Sequence, residues 1–265
     1  MKLNLKNTWL IFLAFTLTLV PLKICSALFT ISFVESAIFT CIFMAAIASL
    51  AIFSCFSEIK LKNMDIKKNA LLGIVSALIS IAFFWCISTY FNDNSKYDFE
   101  WQPVVMSLLS ILCCITFALN SASFFTGKNI FSGVPFFIFC PTMWFGMSMI
   151  LFLSIYNNNA NVYEVGLTSF LALFMVYHTQ VFATSSNYNI IKQMFIFGMP
   201  SILLILANSV PVIIKYLRGY DVSDLAISVS SLQILIALYI VGVLAESYKQ
   251  INAPQEPEVR SITIH

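Results

Sequence analysis

In a chain dominated by apolar residues, chemistry has to come from the few polar side chains that interrupt the hydrophobic runs. Here they gather in Tyr177-His178-Thr179-Gln180, in Ala207-Asn208-Ser209-Val210-Pro211, and at a lone Gln233. His178 can exchange a proton, Gln180, Asn208 and Gln233 carry amides that both donate and accept, and Ser209 adds a hydroxyl. Such a set suits non-covalent recognition of a small polar solute. Proton-coupled pumps and many ion-coupled carriers place a carboxylate at mid-membrane. None stands in these stretches, so a proton relay would have His178 alone. A plainer reading stands beside this one: His178, Gln180, Gln233 and Asn120 hydrogen-bond neighbouring helices, each for about 0.6–2 kcal/mol.

The same region carries two helix breakers. Pro200 and Pro211 lie eleven residues apart, the first preceded by Gly198-Met199. Each proline removes a backbone donor and frees a carbonyl one turn earlier, which predicts a kinked or unwound helix. Unwound backbone is tolerated at membrane depth only where protein buries it or where it lines a water-filled cavity. Asn208 and Ser209 would then supply side-chain groups beside the break, while a kink that serves packing alone is the competing reading. Beyond the second proline, Lys215 and Arg218 would either present two cations to an anionic ligand or snorkel to lipid phosphates.

Covalent chemistry finds no foothold. HExxH is absent, no paired aspartates or GxSxG elbow occur, and no Gly-rich phosphate loop or Asp-rich Mg²⁺ motif is present. The seven cysteines, Cys25, Cys41, Cys55, Cys86, Cys113, Cys114 and Cys140, lie in or beside apolar runs without a CxxC spacing, so they read as small apolar fillers. The expectation is a non-enzymatic protein with no metal and no cofactor. A net charge of +2 gives no reason to expect a nucleic-acid partner.

These residues have to be held by membrane helices. The 265 residues are 60% hydrophobic and only 10% charged, with a mean hydropathy of +0.90. A soluble fold of this size leaves roughly a quarter of its extended-chain surface in water and has no means of hiding so much apolar area. About 20 apolar residues cross the hydrocarbon core. Eight runs meet that length: 8–29, 33–56, 70–91, 103–125, 131–156, 165–183, 190–214 and 225–245. The expected fold is therefore all-α, a polytopic transmembrane bundle forming one domain over 1–245, with a short solvated tail at 246–265. Lys23 and Glu35 flank the turn between the first two runs, and Pro135 and Pro141 set the angle at which the fifth begins.

Orientation follows from the basic residues. With the N-terminus cytoplasmic, ten of the fourteen fall inside and Lys23, Lys96, Lys215 and Arg218 fall outside. Eight crossings return the C-terminus to the cytoplasm. Lys2, Lys6, an apolar stretch and Cys25-Ser26-Ala27 also resemble a cleavable signal peptide, which would leave seven spans. Uninterrupted apolar residues after Ala27 and a charge at Lys23 argue against cleavage. Small residues at Ala45, Ala46, Ala48, Ser49 and Ala51, at Ser76 and Ser80, and at Ala226 and Ser230 predict close helix contacts.

Two functions fit. The first is a small-solute permease or carrier-like protein, whose cavity is bounded by the sixth, seventh and eighth spans and reached from outside. The alternative is an accessory or sensing subunit that contacts another membrane protein, or a second copy of itself, through its small-residue faces. In either case the chain sits in a lipid bilayer as an integral protein. A Lys-rich, Arg-poor composition, with twelve of one and two of the other, points to an AT-rich bacterial genome and hence to a bacterial cell membrane.

Overall fold

The computed structural model describes residues 5–28, 33–57, 59, 66–92, 101–132, 134–155, 162–183 and 188–252. Each expected apolar run carries a helix: α1 (Leu5–Leu28), α2 (Phe33–Phe56), α3 (Ala70–Asn92), α4 (Trp101–Thr126), α5 (Cys140–Ile155), α6 (Val162–Ala183), α7 (Tyr188–Leu217) and α8 (Asp224–Asn252). No strand occurs among the described residues. Six of the helices, α1 to α4, α7 and α8, are long and apolar enough to cross a membrane. The first turn at 29–32, most of the 92–102 loop, and the final residues 253–265 lie outside the described residues, as does the side chain of Glu35.

The prolines act differently in the two places. The expected fifth run, 131–156, is not one helix. Two 3₁₀ turns, Ile130–Ser132 and Pro135–Phe139, precede a 16-residue α5. Pro135 occupies the first turn of its segment and Pro141 the first turn of α5, where the missing N–H has no intrahelical role. In α7 the predicted unwinding does not occur: the 30-residue helix runs unbroken through Pro200 and Pro211. Neighbours on several sides hold it, since α1, α2, α6 and α8 all pack against α7. It ends where Gly219, at φ 80°, turns the chain. There the amides of Gly219 and Tyr220 reach back to the carbonyls of Tyr216 and Lys215, a Schellman termination. At the other extreme, α8 continues past Ala245 to Asn252, so helix occupies the start of the expected tail.

Helices α3, α4, α5, α6, α7 and α8 each pack on the next, and α8 returns to α3, closing a ring; α1 and α2 pack against α7. Neighbours in the ring run antiparallel. Ser80 donates to the Cys114 carbonyl and Ser121 to that of Gly73, tying α3 to α4. A Thr89–Ser228 bond of 2.9 Å joins α3 to α8 at one end, and Asn69 meets Glu246 at the other. We call these the distal end, where α7 finishes and α8 begins, and the proximal end, where α1 begins and α8 finishes.

Side chains sort by what surrounds each face. On α3, Leu71, Ile74, Leu78, Ile81 and Phe84 are exposed, while Ser76, Ile79, Phe83, Cys86 and Thr89 are buried. An apolar exterior with hydroxyls turned inward is the arrangement that a bilayer stabilises and water does not. Several hydroxyls inside the helices bond locally, as where Thr16, Ser110 and Ser247 donate to carbonyls four residues earlier, whereas those of Ser76, Ser107 and Thr142 are buried without a partner among the described residues.

Close approach depends on glycine where α6 and α8 meet α7. A Cβ at Gly198 would stand 3.0 Å from Leu244 and 3.1 Å from Phe174. Gly198→Val is therefore expected to cost about 1–3 kcal/mol by overpacking, read as a lower unfolding midpoint in detergent. Gly146→Ala, where a Cβ meets nothing within 4 Å, leaves that midpoint unchanged or raises it.

Candidate functional site

The ring encloses a cavity of about 250 Å³ at its distal end, lined by residues from all six ring helices. For scale, an engineered cavity of about 150 Å³ admits benzene. Tyr90 comes from α3, Met106 from α4, and Trp144, Ser148 and Leu151 from α5. Glu164, Leu167 and Thr168 come from α6, and Asn208 and Val212 from α7. The longest stripe is on α8, where Ala226, Val229, Ser230 and Gln233 recur at helical spacing below a rim at Ser223 and Leu225.

Local bonds fix the polar groups. Ser209 donates to Gln233 Oε1 at 2.5 Å, which orients the Gln233 amide from behind. Ser148 donates to the Trp144 carbonyl and Thr168 to the Glu164 carbonyl, both at 2.9 Å, so these hydroxyls commit their hydrogens to their own helices. Trp144 Nε1 donates to Ser110 Oγ at 2.9 Å, which holds the indole of α5 against α4. Glu164 stands just ahead of the apolar run 165–183. Among the described residues no Lys, Arg or His belongs to the lining.

Towards the proximal end an aromatic septum closes the ring. Trp144 meets Phe83 edge to face at 5.4 Å between centroids, Phe83 stacks on Phe117 at 5.7 Å, and Phe117 meets Tyr239 edge to face at 5.5 Å. The Tyr239 hydroxyl then hydrogen-bonds His178 Nε2 at 2.8 Å. This chain of contacts joins α5, α3, α4, α8 and α6 across the lumen. On α4, Met106, Ser110, Cys113, Phe117, Asn120 and Phe124 are all buried at helical spacing, so one face of that helix follows the axis from cavity to septum and beyond.

The structure separates the residues singled out from sequence. Asn208 and Gln233 line the cavity, and Ser209 supports Gln233. His178 is buried in the septum and takes no part in the lining; Gln180, half-buried, lies further along α6 and is also outside it. Lys215 is half-buried, Arg218 is exposed, and neither lines the cavity. Pro200 and Pro211 are buried within a continuous helix rather than at an opened break. Sequence reasoning missed Glu164, which it left in the loop before the sixth span, and it missed Trp144, Tyr90 and Thr168. It read Ala226 and Ser230 as a packing face, whereas both line the cavity. Their continuation to Gln233 at i+7 was the available signal. Among the described residues no group of three His, Cys, Asp or Glu side chains is placed to hold a metal. No known protein family, characterised protein or solved structure matches this chain.

The septum makes a simple demand of Tyr239. Tyr239→Phe keeps the ring contacts with Phe117 and Phe124 and removes only the bond to His178. A loss of about 1 kcal/mol is expected, seen as a lower unfolding midpoint in detergent. An unchanged midpoint would mean that the rings alone hold the septum.

Proposed function

We propose that this chain is a small-solute permease of a bacterial cell membrane, and that the distal cavity is its solute site. The observation that carries the proposal is a cavity lined by every helix of the ring and closed on its proximal side by the aromatic septum. A carrier needs such a site, open to one face and barred from the other, with walls on separate helices that can shift against each other. In this reading the septum is the inner gate, and the His178–Tyr239 bond is part of what must break for a solute to pass. Asn208 and Gln233 hold the solute through their amides. The chain binds and moves its solute without altering it covalently.

The topology belongs to the same proposal. All eight helices cross, with α5 extended by the 3₁₀ turn before it, and both termini lie in the cytoplasm. The excess of basic residues on that side supports the orientation, which turns the distal end and its cavity outward. Reporter fusions test it directly. Alkaline phosphatase inserted after Gly219 is expected to be active, and green fluorescent protein fused after His265 is expected to fluoresce. The reverse pattern would turn the cavity to the cytoplasm.

Native mass spectrometry on protein extracted from its own host in mild detergent tests the function. A lone chain or homo-oligomer that retains a small molecule is the expected result, and the bound mass identifies the solute. A stoichiometric second protein with no retained solute would overturn the permease reading in favour of an accessory subunit.

A further inference from the structure

We infer that the cavity takes a small organic cation, a protonated amine whose charge is met by Glu164. The inference rests on the reading of the cavity as a solute site and adds the chemical class of the solute. Among the described residues Glu164 is the only carboxylate in the lining, and no basic side chain accompanies it there. A half-buried carboxylate without a cation beside it is costly; a bound ammonium would supply the missing charge and a charge-assisted hydrogen bond.

Two hydroxyls and two aromatic rings of the lining agree with a donor, alongside the amides of Asn208 and Gln233, which can serve either kind of partner. Ser148 and Thr168 have committed their hydrogens to carbonyls of their own helices, so each presents lone pairs to the lumen. Trp144 and Tyr90 bring aromatic rings into the same space, and rings of this kind attract ammonium and quaternary nitrogen through their quadrupoles. An anion would meet the Glu164 carboxylate and hydroxyl lone pairs, and among the described residues of the lining only the amides of Asn208 and Gln233, not a cation, to offset them. Lys215 and Arg218 lie at the same end of the bundle but outside the lining. Solvent reaches both, and salt screens their effect over about 8 Å at physiological ionic strength.

The test is a titration of the purified full chain in detergent, followed by intrinsic tryptophan fluorescence, with Trp144 in the cavity as reporter. The probes are ethanolamine, putrescine and choline, set against glycolate as an anion and ethylene glycol as a neutral solute, at one pH and ionic strength. A saturable response to at least one amine is expected, weakened about tenfold or more by Glu164→Gln, with the variant unfolding at the same temperature as the parent. If glycolate or ethylene glycol saturates the signal as well as the amines do, the cation assignment fails while the cavity remains a solute site. Equal amine binding by Glu164→Gln has the same consequence. If no probe gives a saturable response, the assignment fails together with the reading of the cavity as a solute site.

Discussion

A 2.8 Å hydrogen bond between His178 and Tyr239, continued through stacked and edge-on rings to Trp144, is the contact around which the ring is organised. Six helices packed in a circle leave an axis that side chains must either fill or leave open. Here ring side chains from five helices meet across the axis, and distal to them a cavity is left. The two facts are one arrangement. Trp144 belongs to both, as the floor of the cavity and the first ring of the septum. Aromatic edge-to-face pairs are worth about 0.5–1.5 kcal/mol beyond their buried area, so the septum stabilises the ring while barring the axis.

The solvent around the bundle sets the second constraint. Lipid leaves no backbone donor or acceptor to be satisfied from outside, so each irregularity must be repaired within the protein. The three irregular places are repaired in three ways. Packed neighbours keep α7 helical through two prolines. The 3₁₀ segment ahead of α5 is met from the side by hydroxyls: Thr116 shares its hydrogen with the Phe137 carbonyl at 2.6 Å, and Thr179 reaches the Ile138 carbonyl at 2.9 Å. The end of α7 closes on itself through Gly219.

Much of the bundle was legible in the sequence because a membrane helix announces itself by composition over a long window. Eight apolar runs became eight helices, and Pro135 and Pro141 fell where a helix begins. What one sequence hides is which face of each helix turns inward, because lipid-facing and core-facing positions are both apolar. The fate of His178 shows this well. Its position in an apolar run was evident, but nothing local says that Tyr239, sixty-one residues away, is its partner and not a solute. Glu164 was overlooked for the opposite reason: a carboxylate at the start of a span looks like a loop residue until the ring closes round it. Pro200 and Pro211 misled because proline removes a bond without dictating whether neighbours hold the helix together.

The sideways bonds to the 3₁₀ segment have a mechanical consequence. Helix α5 is clasped at its root, with one hydroxyl from each adjoining helix, and its first turn follows immediately. Trp144 lies one turn above that root, whereas Ser148 and Leu151 lie one and two turns further on, against the cavity. One short helix thus carries Trp144 against the septum and Ser148 and Leu151 against the cavity, so any tilt of α5 about its root would move the walls of both together.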